Sequence, residues 1–460
     1  MLTHLRIRNF KSWQDTGDIR LAPITVLFGI NSAGKSSIIQ FLLMLKQTIE
    51  SPDRRRVLHP GDEHTPVDLG TFHDLVYGHD ESNRISFEVE WVLPEPLRFT
   101  DPRNKQGYEG GDLHFEASVG QVPKISQVYV ERLEYTLGLL HDQPVKIEMV
   151  PPRQGISSKY KLITHGYKLV RNPGRAWELP PPVRFYGFPD EVFSYFQNAD
   201  FLASFTLSLE KQFRALQYLG PLRIRPRRTY TWAGEVPEHV GWSGERAVEA
   251  LLAARDRKIN PGYKKAAKRL PSLVAGWLRR MDLLASFEAR SIAEHRKEYE
   301  VMVTTKGSWE EVNLTDVGFG ISQVLPVVVS CFYAAPHSTI LMEQPELHLH
   351  PGVQSRMADL FVQAIHARQD GKDRSIQFII ESHSEHFLHR LQRRIAEGEL
   401  EKDEVALYFC ETGPDGSVLR PLEVDTLGNI TNWPRDFFGD DMGDLVAMTD
   451  AAARRSGSAE

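Results

Sequence analysis

Apolar and polar residues alternate along this chain in short blocks with different periods, which predicts both strands and helices. Near the start, Leu5 and Ile7 alternate with arginines, a pattern typical of an edge-like strand. The apolar run over residues 24–28 predicts a buried strand, and residues 35–49 predict a helix that ends before Pro52. The first part of the chain therefore reads as an α/β protein.

The middle of the chain contains a segment with strand patterns followed by a segment with helix patterns. From residue 85 to residue 170, short β-like runs alternate with turn residues, which predicts an antiparallel sheet. Helical patterns follow at residues 207–216, 247–255 and 263–284, the last broken or kinked at Pro271. The last pattern sets basic side chains against an apolar face: Lys264, Lys265, Lys268, Arg269, Arg279 and Arg280. This indicates either a helical arm that meets nucleic acid or a partner, or a surface element with ordinary solubilising charge.

Composition changes this picture by excluding classes of protein. The 460 residues are 41% hydrophobic and 25% charged, as in an ordinary globular protein. No run approaches the roughly 20 apolar residues of a membrane span, and the start has no apolar signal core, so we expect a cytoplasmic protein without a membrane partner. The formal net charge of -6 argues against a uniformly basic nucleic-acid coat, although a local basic groove stays open. Cys331 and Cys410 are too few and too far apart to predict a disulfide framework or a zinc site.

A phosphate-binding loop follows the strand at residues 24–28. Residues 29–36 fit G-x-x-x-x-G-K-[ST] between a predicted strand and a predicted helix, the context that this motif requires. Gly34 allows backbone N–H groups to approach phosphate oxygens at a helix N-terminus. Lys35 is expected to reach the β- and γ-phosphates of ATP, and Ser36 to bind Mg²⁺. The predicted nucleotide-binding residues of the loop are Gly29, Asn31, Ser32, Ala33, Gly34, Lys35, Ser36 and Ser37.

The second half of a nucleotide site is predicted near the other end of the chain. A glycine-rich turn opens an apolar helix at residues 314–325, so Gly318, Gly320 and Ser322 would face an anion at a helix N-terminus. The buried strand at residues 339–342 runs into Glu343, where a P-loop fold places the carboxylate that organises Mg²⁺. A further strand, residues 377–380, delivers His383 to the same sheet edge.

In this order, the motifs resemble the ABC-type ATPases of the soluble RecF/SMC/OLD-like branch. The positions that match Walker A, signature, Walker B, D-loop and switch histidine are residues 29–36, 314–323, 340–344, 349–351 and His383. A closer resemblance is to bacterial AAA ATPases with a C-terminal domain of unknown function, in the motifs at residues 218–223, 343–351 and 428–434. The resemblance implies an α/β P-loop NTPase of ABC type: a mixed sheet with an antiparallel β lobe, flanking helices and a helical insertion.

Pattern and resemblance together divide the chain into five segments. They are residues 1–80, the first half of the ATPase head; 81–225, the β-rich lobe; 226–296, the helical insertion or arm; 297–400, the second half of the head; and 401–460, a C-terminal hairpin and tail.

Two positions depart from the family pattern. Walker B ordinarily ends in two acids, the second of which polarises the attacking water, but here Glu343 is followed by Gln344. Glutamine orients water without accepting its proton, so we expect slow turnover, with Glu346 or His383 compensating in part. The signature lacks the usual Leu-Ser-Gly-Gly pattern, and the hydroxyl that contacts ATP is either Thr315 or Ser322. The predicted catalytic residues are Lys35, Glu343, Gln344 and His383, with Ser36 and Glu343 as Mg²⁺ ligands.

Two further motifs are compatible with other kinds of site. His348 and His350 have a spacing that could chelate a metal, but a third ligand is not evident, and the resemblance makes them D-loop residues. Asp440, Asp441 and Asp444 could serve a nuclease, but no carboxylates follow strands in the repeated way that a paired-metal site needs.

The function implied is that of an ATP-dependent switch. Two subunits would enclose ATP and Mg²⁺ head to tail, and the resemblance suggests anti-phage defence or DNA maintenance, with DNA or a separately encoded nuclease or toxin as partner. The alternatives are an ATP-stabilised scaffold with negligible hydrolysis and, more weakly, a self-contained nuclease.

Overall fold

The computed structural model describes residues 1–122, 126–139, 143–153, 157–174, 178–262, 265–434, 437 and 446–451. None of the helices within these ranges combines the length and the apolar character that a membrane span requires.

The strands, in chain order, are β1 (Leu2–Phe10), β2 (Trp13–Asp15), β3 (Ile19–Arg20), β4 (Ile24–Gly29), β5 (Ile85–Thr100), β6 (Gly107–Val122), β7 (Gln127–Leu139), β8 (Val145–Val150), β9 (Lys161–His165), β10 (Leu216–Leu219), β11 (Tyr230–Thr231), β12 (Lys258–Ile259), β13 (Lys268–Arg269), β14 (Ser286–Ser291), β15 (Glu298–Thr304), β16 (Glu311–Asn313), β17 (Thr339–Glu343), β18 (Arg368–Gln369), β19 (Lys372–Asp373), β20 (Gln377–Glu381), β21 (Val405–Gly413) and β22 (Gly416–Leu422). The α-helices are α1 (Lys35–Glu50), α2 (Phe72–Leu75), α3 (Asp190–Tyr195), α4 (Phe201–Arg214), α5 (Ala247–Ala253), α6 (Leu270–Arg280), α7 (Phe319–Tyr333), α8 (Pro351–Ile365) and α9 (Glu385–Ala396). Three short 3-10 turns cover Tyr77–His79, Leu314–Asp316 and Lys402–Glu404.

A six-stranded sheet, in the order β10-β17-β20-β4-β21-β22, carries the predicted nucleotide motifs. Its first five strands are parallel, and β22 is antiparallel at the edge. Neighbouring residues of β17 point to opposite sides: Leu341 joins one hydrophobic core, whereas Ile340 and Met342 join the other. A parallel sheet is stable when both faces are covered, and α1 packs in the first core while α7 and α8 pack in the second. The carboxyl ends of β4, β17 and β20 therefore meet at one edge.

The predicted antiparallel β lobe is confirmed. Seven strands follow the order β2-β1-β5-β6-β7-β8-β9, with β3 beside β1. The N-terminal strand belongs to this sheet, because Leu5 lies opposite Val89. Helix α4 covers the lobe through Phe205 and Leu209. It ends before residue 216, the predicted limit, because Leu216 is already the first residue of β10 in the central sheet.

Of the helix predicted over residues 263–284, residues 263 and 264 lie outside the described residues, and the described part has different bounds. Helix α6 begins at Leu270, and the two residues before it form β13, which pairs with β12. Pro271 stands in the first turn, where its missing N–H costs no helical hydrogen bond, so it starts the helix and does not break it. The apolar face of α6 packs into the second core through Leu270, Leu273, Val274, Trp277 and Leu278. The described residues therefore form a packed helix here and not a projecting arm.

The rest of the predicted helical insertion is partly β-structure. Strands β11, β14, β15 and β16 form a small antiparallel sheet, and β16 leads directly into the 3-10 turn before α7. At the C-terminus the predicted hairpin is confirmed as β21 and β22. Strand β21 also lies beside β4 in the central sheet, so the C-terminal hairpin completes the ATPase head.

Candidate nucleotide site

The phosphate-binding loop joins β4 to α1, as predicted. Gly34 precedes the helix with a φ of 86°, a left-handed conformation that favours glycine. A Cβ atom at this position would lie 2.7 Å from the hydroxyls of Ser12 and Ser417. The indole N–H of Trp13 donates to the Gly34 carbonyl at 3.0 Å. The N-terminal strands and the C-terminal hairpin thus both brace this loop.

Lys35 is 4% exposed, and its ammonium lies within the curve of the loop. Nζ donates to the carbonyls of Gly29, at 3.0 Å, and Ile30, at 2.6 Å. Burial lowers the pKa of Lys35, while the charge of Glu381 opposes this shift. A phosphate bound in the loop would therefore replace these two backbone carbonyls as the partner of the ammonium. Of the remaining loop residues, Asn31 and Ser32 are exposed, Ser36 and Ser37 are half-buried, and Ala33 is buried.

Two carboxylates end adjacent strands beside the loop. Glu343 and Glu381 are the last residues of β17 and β20, and they lie directly opposite each other in the parallel register. Ser36 donates from its hydroxyl to Oε2 of Glu381 at 2.6 Å, and Tyr218 donates to Oε1 of Glu343 at 2.9 Å. Burial, and then the charge of Glu381, raises the pKa of Glu343 to about 7. The two buried carboxylates repel each other, and together with the Ser36 hydroxyl they offer the hard oxygen donors that Mg²⁺ prefers.

Sequence reasoning missed Glu381. The strand predicted at residues 377–380 runs into Glu381, but only His383 is predicted from that motif. The available signal was the same one that identified Glu343, namely an acidic residue closing an apolar parallel strand. Tyr218 and Arg223 belong to the motif at residues 218–223, which predicts no site role for them, and the structure places both beside Glu343.

Gln344 leaves β17 in a left-handed conformation, with a φ of 43°. Its N–H donates to the carbonyl of Glu381 at 2.8 Å. Arg223 donates from one terminal nitrogen to the carbonyls of Glu343, at 3.1 Å, and Gln344, at 3.4 Å. Burial lowers the pKa of Arg223 to about 10. The backbone at the Walker B end is thus fixed from both sides, by β20 and by Arg223.

Glu346 and His383 also meet at this edge. Oε1 of Glu346 accepts a hydrogen bond from the backbone N–H of His383 at 2.7 Å. Burial raises the pKa of Glu346. Burial and the charge of Lys35 lower the pKa of His383, so its imidazole is neutral near neutral pH. Within the described residues, Oε2 of Glu346 and two guanidinium nitrogens of Arg223 are buried without a hydrogen-bond partner.

The signature residues lie at the start of α7. Gly318 precedes the helix and is exposed, and a Cβ atom there would meet nothing within 4 Å. Gly320 faces the D-loop, where an added Cβ would lie 3.5 Å from the Leu349 side chain. Ser322 is buried, whereas Thr315 is half-buried and donates to Oδ1 of Asn313 at 3.0 Å.

Of the two alternative sites, the histidine pair lies within the described residues and the aspartate cluster does not. His350 caps α8 by accepting from the N–H of Gly352, and neither it nor His348 belongs to a cluster of three close potential metal ligands among the described residues. Asp440, Asp441 and Asp444 lie outside the described residues.

Comparisons with known families agree with this architecture. The AAA family described as "AAA domain, putative AbiEii toxin, Type IV TA system" matches residues 156–388, just over half of the chain. The family described as "AAA ATPase domain" matches residues 1–131, and "Protein of unknown function (DUF3696)" matches residues 400–448. The predicted combination of an AAA ATPase with a C-terminal domain of unknown function is thereby confirmed.

Solved structures give more distant similarity. The SMC head domain from Thermotoga maritima is similar at 11% sequence identity and a TM-score of 0.41, over 92% of this chain and 99% of that chain. The Smc head domain with an extended coiled coil, bound to the C-terminal domain of ScpA derived from Pyrococcus furiosus, has 9% identity and a TM-score of 0.40, over 92% and 96% of the two chains. The comparison with curated proteins gave no match. The chain belongs to the AAA family described as "AAA domain, putative AbiEii toxin, Type IV TA system", and it is a P-loop ATPase.

Proposed function

We propose that this protein is a slowly hydrolysing ATP switch whose subunits join head to tail around ATP. The observation that carries the proposal is the convergence of Lys35, Ser36, Glu343 and Glu381 at one edge of the parallel sheet. Lys35 would bind the terminal phosphates, which would replace its present carbonyl partners. Ser36, Glu343 and Glu381 would hold Mg²⁺, which supplies charge neutralisation for the phosphates when bound.

Hydrolysis would be slow because no carboxylate occupies position 344. Gln344 would orient the attacking water, and the proton would have to pass to a weaker acceptor. Neutral His383 and the buried Glu346 are the two groups at this edge that could accept it in part. A long-lived ATP state would then be the active form of the switch.

The second subunit would contribute the N-terminus of its α7. Exposed Gly318 leaves this helix end accessible, and its positive dipole end would face the γ-phosphate. Burial of Ser322 favours Thr315 as the hydroxyl that contacts the nucleotide. Closure of the two subunits would then control a partner, either DNA or a separately encoded effector such as a nuclease or toxin, in anti-phage defence or DNA maintenance within the cytoplasm.

A complementation experiment tests the head-to-tail arrangement. Lys35→Ala should abolish ATP binding, whereas Gly318→Glu should bind ATP as a monomer and fail to hydrolyse it. A Cβ atom added at this exposed position would have no atom within 4 Å, so this variant should fold. Mixed together, the two variants form one intact composite site per heterodimer, and phosphate release should reappear.

Gly107→Glu is the matched control, because it adds the same side chain at an exposed position with nothing within 4 Å of the new Cβ. It should dimerise with ATP and hydrolyse it like the wild type. Failure of the mixture to recover activity, or undiminished activity of Gly318→Glu alone, would contradict the composite site.

A second candidate function, an ATP-stabilised scaffold, is favoured by Gln344 alone. In that case the wild type would dimerise tightly with ATP and release no phosphate above the level of Lys35→Ala. Light scattering with and without ATP, combined with single-turnover phosphate release, distinguishes the two functions.

A further inference from the structure

A cluster of two histidines and an aspartate lies outside the nucleotide site. His73 and Asp74 belong to α2, and His79 ends the 3-10 turn that follows it. One potential ligand atom from each residue lies within 4.8 Å of the other two, and all three residues are exposed. Among the described residues, this is the one group of three His, Cys, Asp or Glu side chains whose ligand atoms all lie within 4.8 Å of one another.

A hydrogen bond of the His79 ring leaves one ring nitrogen available to a cation. Its Nδ1 lies 2.9 Å from the carbonyl oxygen of His73. A carbonyl only accepts, so Nδ1 must carry the proton, and the lone pair of the neutral ring is then on Nε2. Metal-ligating histidines are commonly held in this way, with the second ring nitrogen donating to a carbonyl or carboxylate. His79 has a left-handed conformation, with a φ of 57°, and its ring stacks on the ring of His73 with the centroids 4.7 Å apart.

Asp74 is held in a similar way. Its Oδ2 accepts hydrogen bonds from the N–H and the hydroxyl of Thr71, both at 2.8 Å. Oδ1 is thereby turned toward His73, whose Nδ1 lies 3.8 Å away. Two of the three side chains are thus oriented by their own hydrogen bonds.

We propose that His73, Asp74 and His79 bind a first-row divalent metal ion, with Zn²⁺ as the best-matched chemistry. Two imidazoles and one carboxylate are ligands that zinc accepts, with water completing the coordination. Mg²⁺ prefers oxygen donors in octahedral geometry and would not compete well here. Rotation of the exposed side chains would shorten the present separations to the spacing that Zn–N bonds of about 2.0–2.1 Å require.

The position suggests what the metal would do. Between the candidate ligands, the Leu75 carbonyl accepts from the N–H of Lys11 at 2.6 Å, and Tyr77 donates to the carbonyl of Asp415 at 2.8 Å. Lys11 is two residues from Trp13, whose indole holds the phosphate-binding loop. A metal tying residues 73–79 together would therefore stiffen a segment that supports the nucleotide site from the side.

Titration of tag-free protein with Zn²⁺ in the calorimeter tests the proposal, with millimolar Mg²⁺ present to occupy the carboxylates of the nucleotide site. One Zn²⁺ should bind per chain, and His73→Ala and His79→Ala should each abolish saturable binding. Thr71→Ala removes one hydrogen bond to Asp74 and should weaken binding about tenfold. His64→Ala, which removes an imidazole that is 85% exposed in a neighbouring loop, is the control and should bind like the wild type.

Replacement of Zn²⁺ by Co²⁺ adds a spectroscopic readout, because coordinated imidazole changes the visible absorption of the ion. A ligand-field band that appears in the wild type and is lost in His79→Ala supports the site. Absence of stoichiometric binding, or binding that survives both histidine substitutions, would overturn it. Neither result depends on ATP binding, so the inference fails or stands apart from the proposed function.

Discussion

The hydroxyl of Ser36 donates a 2.6 Å hydrogen bond to Oε2 of Glu381, across an interval of 345 residues in the chain. This bond joins the start of α1 to the end of β20 and sets a second carboxylate beside Glu343. The proposed metal-binding edge is therefore built from three parts of the chain: the phosphate-binding loop, the end of β17 and the end of β20.

Glu381→Gln should weaken Mg²⁺ binding. The amide can keep a hydrogen bond with Ser36 but removes a negative charge from the metal-binding edge, so the Mg²⁺ concentration that half-saturates nucleotide binding should rise about 10–100-fold. A Mg²⁺ titration at fixed ATP measures this. Glu63→Gln, in which the side chain is 85% exposed, is the control. An unchanged Mg²⁺ requirement would remove Glu381 from the site.

Glu343→Gln should stabilise the metal-free protein at high pH. Glu343 has a pKa of about 7 in the folded state against 4.5 as its ordinary value, so between these values the folded protein holds a proton that the unfolded chain has lost. Stability therefore falls as pH rises through this window, and the full penalty applies above pH 7. Glutamine removes it, which should add about 1–3 kcal/mol at pH 8 and almost nothing at pH 4.5.

Urea unfolding in EDTA at the two pH values measures this difference. Glu343→Gln should at the same time lose Mg²⁺-dependent ATP binding, so the gain in stability accompanies a loss of function. Equal stabilisation at both pH values would show that charge burial is not the cause.

Gln344→Glu should accelerate ATP cleavage. The substitution nearly preserves shape at a half-buried position and supplies a carboxylate able to accept a proton from water. Single-turnover phosphate release should rise about 100-fold or more. Gln106→Glu, at an exposed loop position, should leave the rate unchanged. If the glutamate at position 344 gives no faster cleavage, the slow step lies elsewhere.

Arg223→Met should destabilise the protein. The substitution removes the donor to the carbonyls of Glu343 and Gln344 and leaves the buried charge of Glu346 without its nearby cation. A loss of about 2–4 kcal/mol is expected. Adding Glu346→Gln removes the uncompensated charge and should recover part of the loss. Chemical unfolding of both single variants and the double variant measures this coupling, and strictly additive losses would contradict it.

Local patterns predicted the elements that depend on local physics. The strand before the loop, helix α1 and the antiparallel lobe follow from apolar periodicity and turn residues, and each forms close to its predicted position. The position of Glu343 could be predicted because an acid at the end of a buried strand is visible in one short segment.

Features that depend on tertiary pairing could not be predicted in this way. The partnership of Glu381 with Ser36 requires β20 to lie between β17 and β4, which no local pattern states. The predicted helix begins later than expected for a related reason: Lys268 and Arg269 pair with β12, and this pairing outweighs their helical periodicity. Pro271 was interpreted as a break, although proline is equally suited to the first turn of a helix.

Equilibrium binding of ATP tests the account most directly. The wild type, Lys35→Ala and the exposed control Lys372→Ala are each titrated with a fluorescent ATP analogue, with and without Mg²⁺. The wild type and Lys372→Ala should show saturable binding that depends on Mg²⁺, and Lys35→Ala should show none. Equal binding by all three proteins, or no binding by any, would contradict a triphosphate site between Lys35 and Glu343.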